Sequence, residues 1–166
     1  MTIVQPFSAP ADQGRDIWHM GALMRFKAVG EDTGGQFWLA EQVSNRGYAS
    51  PLHRHTNEDE LFIVLDGELS IGVDDRTYQA AAGSITFAPR GLAHTFQVES
   101  PEARFLILST PAGFERWFFE TGMPAQELTV PPAMELPPDI EGLIRSLKAY
   151  DVELVGPPPM PPGARG

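Results

Sequence analysis

The sequence predicts an all-β fold, a sandwich or barrel, and three observations carry that expectation. Short apolar runs recur through the body of the 166-residue chain, each closed by a Gly, Asp or Pro turn signal. Between positions 16 and 110 no long helical periodicity separates them. The run Glu60-Leu-Phe-Ile-Val-Leu65 is apolar on both faces, as a strand buried inside closed sheets must be.

In chain order, residues 1–15 read as a polar, Pro-containing N-terminal arm. Strands are expected at Ala22–Ala28 and Phe37–Val43, around the loop Gly30–Gly35. The strand from Glu60 ends at Asp66-Gly67, a dipeptide suited to a tight hairpin turn. Leu69, Ile71 and Val73 then alternate with Glu68, Ser70 and Gly72, which reads as a half-buried partner strand. Asp74-Asp75 turns the chain into Arg76–Ala80, and Gly83 leads into Ser84–Ala88. Pro89-Arg90-Gly91 is a further turn, after which His94–Glu99 and Arg104–Ser109 complete the run. Two helices follow. Ala112–Thr121 carries Phe114, Trp117 and Phe118 at helical spacing and stops at Gly122. Asp139 is suited to cap a helix carrying Ile140, Leu143, Ile144 and Leu147 at i, i+3, i+4 and i+7. Both helices are expected on the outside of the barrel or over one end. The division is therefore 1–15 arm, 16–126 β-barrel with its following helix, and 127–155 C-terminal helical extension. Nine of the sixteen prolines lie at or after position 131, so residues 156–166 read as a Pro-rich disordered tail.

Composition excludes several functions. The charge sum is 12 − 22 = −10 and the pI is near 4.7, which speaks against a nucleic-acid or anionic-membrane surface. There is no cysteine, hence no disulfide, thiolate metal site or cysteine nucleophile. No uninterrupted apolar run approaches the ~18 residues that span a bilayer. The N-terminus lacks a basic-then-apolar leader pattern, and a cytoplasmic location is expected.

Three of the four histidines fall in one region. His53 and His55 are two apart, so an extended chain points both rings to the same side. Glu60 opens the next strand, close enough to face them, and His94 begins a strand that can close the set in an antiparallel barrel. Three imidazoles and a carboxylate facing inward suit one divalent transition metal, whether iron, manganese, nickel, cobalt, copper or zinc. Several polar groups sharing an apolar pocket need a common partner, which lifts the set above its members taken singly. Glu58 is a rival carboxylate, placed in the turn. His19 stands apart in Ile17-Trp-His-Met20 and reads as structural or surface. Phe62 and Val64 share the parity of Glu60, and Phe96 and Val98 that of His94, so these four are candidates for a substrate pocket or for plain core. Arg54 should point away from the metal, whereas Arg25 could face in.

The stretch from Gly47 through His53, His55 and Glu60 to Gly67 resembles the first cupin motif, G-x5-H-x-H-x4-E-x6-G, at every fixed position. Gly83 through Pro89, Gly91 and His94 resembles the second, G-x5-P-x-G-x2-H-x3-N, departing only where Val98 replaces asparagine. The resemblance implies a jelly-roll β-barrel and the ligand set His53, His55, Glu60 and His94. The departure falls at a position that is not a ligand in the family. Gly30–Gly35, Thr110–Phe119 and Gly122–Ala125 further resemble single-domain cupins of the quercetin 2,3-dioxygenase-like group. That implies a metal-dependent dioxygenase acting with O2 on a flavonol or another enolisable aromatic. Glu60 would then be both ligand and catalytic base, and the heterocycle would open with loss of carbon monoxide. A non-redox lyase, isomerase or cyclase on a small molecule, or a non-catalytic small-molecule-binding cupin, are the alternatives the fold leaves open. Resemblance to small cupins also implies a homodimer.

Overall fold

The computed structural model describes residues 4–132 and 139–159. Pro137-Pro138 and most of the expected Pro-rich tail, residues 160–166, lie outside the described residues. The structure adds β1 (Arg15–His19) ahead of the expected strands, which are present as β2 (Ala22–Ala28), β3 (Trp38–Asn45), β4 (Leu52–His55), β5 (Asp59–Asp66), β6 (Glu68–Val73), β7 (Arg76–Ala81), β8 (Ile85–Ala88), β9 (His94–Val98) and β10 (Glu102–Thr110). A short helix, α1 (Gly30–Thr33), occupies the loop read as irregular between β2 and β3. Next come α2 (Glu115–Thr121), the two-residue β11 (Met123–Pro124), α3 (Ile140–Leu147) and β12 (Val152–Gly156).

Two antiparallel sheets face each other as a jelly roll. One has the order β11-β1-β2-β3-β10-β5-β8, the other β12-β4-β9-β6-β7. Inward positions alternate along each strand, so β10 buries Ala103, Phe105, Ile107 and Ser109 while its intervening residues are more exposed. Phe62, Phe96 and Phe105 meet where the sheets approach, with ring centroids 5.7 and 5.2 Å apart.

One turn differs from its sequence expectation. Asp66-Gly67 does not close a hairpin: β5 pairs with β10 and β8, and β6 pairs with β7 and β9. The dipeptide instead carries the chain from one sheet to the other. Gly67 has φ of 81°, and a Cβ there would lie 2.5 Å from the Glu102 carbonyl oxygen. A glycine before an alternating run marks a sharp reversal, and the pairing partner is decided by the sheets that close around it.

The C-terminal region is also more than helical. Asp139 caps α3 as expected, its Oδ1 accepting from the Gly142 amide at 2.9 Å. Beyond α3, however, β12 pairs antiparallel with β4 and sets Val152 opposite His55 and Leu154 opposite His53. The extension read as helical over 127–155 thus returns a strand to the barrel. Likewise α2 starts at Glu115, with Phe114 as its N-cap residue.

Candidate metal centre

The first motif builds one wall of the site from β4 and the start of β5. The second motif is clamped onto it: the Arg90 amide donates to Asp59 Oδ1 at 2.8 Å, and the Arg90 guanidinium reaches Asp59 Oδ2 at 2.8 Å. Hydrogen bonds from Arg90 hold the Asp59 carboxyl below its usual range. The Gly91 amide donates to the His55 carbonyl at 2.8 Å. The turn after Pro89 is thereby locked against the strand it must face, and β9 starts with His94 directly opposite His53.

The side chains converge. One ligand atom each from His53, His55, Glu60 and His94 lies within 4.8 Å of all the others. His55 and His94 are 0% and 1% exposed. Each imidazole is oriented from behind. His53 Nδ1 lies 2.8 Å from the Pro51 carbonyl oxygen, His94 Nδ1 3.3 Å from that of Leu92, and His55 Nδ1 3.2 Å from Glu58 Oε2. Carbonyls and carboxylates only accept, so the ring protons sit on Nδ1 and every Nε2 is left bare.

That assignment exposes an imbalance. His94 Nε2 stands 3.1 Å from Glu60 Oε2 and His55 Nε2 stands 3.6 Å from Glu60 Oε1. Bare nitrogens thus confront a buried carboxylate, acceptor against acceptor. His55 Nε2 has no hydrogen-bond partner among the described residues. Only a cation balances such an arrangement, either a proton or a metal ion. Without a metal the electrostatics show this strain. Burial works against the charge on Glu60, but His55 and His94 outweigh it and hold the carboxyl at about 2. Burial opposes protonation of His55 as well, yet Glu60 and Glu58 draw its pKa upward. Burial, reinforced by the neighbouring His94 and His55, drops His53 to about 3. The donor set fits a divalent metal, with three neutral imidazoles, one carboxylate and a carbonyl or carboxylate behind each ring.

Glu58, weighed as a rival ligand, lies outside the convergent set and acts from behind His55. Two further buried polar atoms lack a partner among the described residues, Trp38 Nε1 and Ser109 Oγ. Register places Trp38 beside Ser109 and Ser109 beside Glu60.

A cavity of about 380 Å³ opens beside the cluster, with His53 and Glu60 in its wall. Phe62 and Phe96 line it, whereas Val64 and Val98 do not. Those two valines are fully buried. Arg54 points away, paired with Glu153 at 2.7 Å. Arg25 does not face in: its Nε binds Asp16 Oδ1 at 2.7 Å and its Nη1 the Ala11 carbonyl, away from the cavity wall.

Much of the wall was not foreseen. Leu143, Ile144 and Leu147 of α3 and Trp117 of α2 cover one side, tied together by Trp117 Nε1 donating to Ser146 Oγ at 2.7 Å. His19, read as structural or surface, is 4% exposed and lines the same cavity with Gln42 and Tyr48. The signal for it existed, since Ile17 and His19 share the parity of a strand whose other face is more exposed.

The geometry defines a small-barrel protein with an inward His3Glu cluster. Residues 41–110 match the family profile described as a cupin domain. It is similar to quercetin 2,3-dioxygenase of Bacillus subtilis (strain 168), 28% identical over 105 residues, which is 63% of this chain and 31% of that protein. It is similar also to quercetin 2,3-dioxygenase of Aspergillus japonicus, 25% identical over 146 residues, 78% of this chain and 41% of that protein. The chain therefore spans less than half the length of either. Among solved structures, ectoine synthase from P. lautus superposes with a TM-score of 0.56 at 21% identity, over 78% of this chain and 91% of that one. This last likeness concerns the fold.

Proposed function

We propose that the protein is a metal-dependent cupin oxygenase, quercetinase-like, that cleaves a flavonol or another enolisable aromatic substrate with O2. The observation that carries the reading is the set of three imidazoles locked from behind, their bare Nε2 atoms facing the ionised Glu60 at the wall of an aromatic-lined cavity. The similarity to two quercetin 2,3-dioxygenases supports the choice of substrate class.

His53, His55, His94 and Glu60 would hold the ion. A redox-active divalent metal there would polarise a substrate oxygen and make oxygen chemistry accessible. The chain's own groups do the rest. Phe62 and Phe96, from opposite sheets and in contact at 5.7 Å between ring centroids, give the cavity an aromatic wall against which a flat ring can lie. Glu60 stands in the cavity wall within the cluster, so it is placed to accept the proton of an acidic substrate hydroxyl. Phe114 meets His55 edge to face at 4.7 Å and, with Trp117, keeps water from that flank. The same reading includes a homodimer, which light scattering tests as twice the 18.2 kDa chain mass.

Elemental analysis paired with oxygen uptake on a flavonol panel tests the proposal. The expected result is about one redox-active metal per chain, with oxygen consumed, and both lost in His53→Ala. A metal-loaded protein that consumes no oxygen with any of the panel overturns the dioxygenase reading. Zinc as the sole activating ion directs attention to lyase or cyclase chemistry with Glu60 as base. A protein that takes up no metal on reconstitution is a binding module.

A further inference from the structure

The cavity has a second polar region away from the His–Glu cluster, and it is built. His19 Nε2 lies 3.0 Å from Thr121 Oγ1, and the Thr121 hydroxyl lies 2.6 Å from the Trp117 carbonyl oxygen. That carbonyl can only accept, so it takes the single hydroxyl proton, and Thr121 Oγ1 must in turn accept from His19 Nε2–H. Burial keeps the ring neutral, at about 4. Its one proton being on Nε2, His19 Nδ1 is an unprotonated acceptor. No residue among those described bonds to it. Edge contacts with Trp117 and Phe118, at 4.9 and 5.1 Å, fix the ring plane.

Register separates this region from the cluster. Gln42 is four residues along β3 from Trp38, which shares the row of Glu60, and this is about 13 Å at the rise of a strand. On the facing sheet Tyr48 is hydrogen-bonded to Val98, four residues along β9 from His94. Both polar side chains line the cavity. His19 pairs with Ala22 on β2, whose neighbour Leu23 pairs with Val43, so His19 belongs to the row just beyond Gln42. Apolar Phe62, Phe96 and Ile107 fill the wall between.

We propose that His19 is a specificity-determining residue whose Nδ1 accepts a hydrogen bond from a distal hydroxyl of the ligand. The ligand class is then an elongated aromatic with an acidic oxygen at one end and a phenolic O–H at the other. The inference rests on the proposed function only for the orientation of the ligand, acidic oxygen toward Glu60. A neutral acceptor held at the far end of an apolar slot rewards a donor there and is left unpaired by an analogue without one.

Isothermal titration with two flavonols tests this, 3-hydroxyflavone and its 4′-hydroxy derivative, which share the enol end and differ only in the distal hydroxyl. The metal-loaded wild type is expected to prefer the hydroxylated compound by about tenfold. His19→Phe should bring the ratio to about one. Equal affinities in the wild type, or a preference that survives His19→Phe, overturn the proposal. A second pair, 4-phenylphenol and biphenyl, separates it from the functional reading. If neither flavonol binds but 4-phenylphenol is preferred in a His19-dependent way, the flavonol reading falls and the His19 contact stands. If no pair shows a preference, the contact is refuted. Should His19→Phe fail to fold, nitrogen NMR of 15N-histidine-labelled wild type gives the answer. The His19 Nδ1 resonance must move with the hydroxylated ligand of a pair and stay put with its partner, and an unmoved resonance overturns the assignment.

Discussion

The two polar regions of the cavity use the same side chain in opposite ways. In the cluster, three imidazoles turn Nδ1–H outward to fixed acceptors, and their bare nitrogens converge on a carboxylate. At the other region, one imidazole turns Nε2–H to Thr121 and stands alone, its bare nitrogen facing no cation and no acid. The difference lies in company. Convergent acceptors demand a cation, whereas a solitary neutral acceptor demands only a donor. Burial alone would have made the four histidines look alike.

The largest expected effect follows from that demand. The metal-free protein carries an unbalanced buried cluster, so loading should stabilise it by about 4 kcal/mol at a free metal concentration a thousandfold above Kd. Thermal unfolding with and without chelator measures this. His94→Ala should abolish the metal-dependent gain, and His19→Phe should leave it intact. A gain equally large in His94→Ala would break the distinction between the two regions.

Next in size is the acid behind the ring. Glu58→Gln keeps an acceptor of similar shape but removes the charge that secures His55 Nδ1–H. Metal affinity should fall 10- to 100-fold, the usual cost of losing an outer partner of a ligating histidine. Competition with a chelator of known affinity reads it directly. Thr121→Val, which removes the corresponding anchor of His19, should not alter metal affinity.

Sequence legibility followed the same line. His53, His55, Glu60 and His94 were readable because strand alternation and two closely spaced motifs suffice to bring them together. The sheet change at Gly67 was not readable, because Asp-Gly supports a sharp turn whichever strands pair afterwards. Val64 and Val98 have the right parity for the pocket yet are fully buried and do not line it, since parity does not say which side chains of a row others cover. His19 reaches the cavity beside Thr121, 102 positions away, and α3 is tied to it through Trp117 and Ser146, 29 positions apart, contacts that no local pattern encodes.

A further effect sharpens the contrast through pH. His19 has its folded pKa lowered from 6.5 to about 4 by burial. Above pH 6.5 it is neutral in both states and adds no slope. As pH falls from 6.5 to 4 the unfolded chain takes up the proton and the folded one does not, so stability declines. Over that window the loss is about 3 kcal/mol at most, at 1.36 kcal/mol per unit. Denaturant titrations at intervals between pH 7 and 4, with metal saturating, should give a steeper decline for wild type than for His19→Phe. Parallel curves would show that His19 is not held neutral in the fold.

The smallest expected effect concerns the helix that covers both regions. Asp139 accepts from the Gly142 amide and is the side-chain cap of α3, whose Leu143, Ile144 and Leu147 line the cavity. Asp139→Ala should cost about 1 kcal/mol, felt first where the cap acts. Because α3 is also held by Trp117 Nε1 on Ser146, its last turn should stay docked while its first turn frays. Hydrogen exchange should therefore quicken at residues 142–144 and not along β9, where the His94 amide belongs to the barrel. Slower exchange at neither place, but equal quickening at both, would mean that helix and barrel open as one unit.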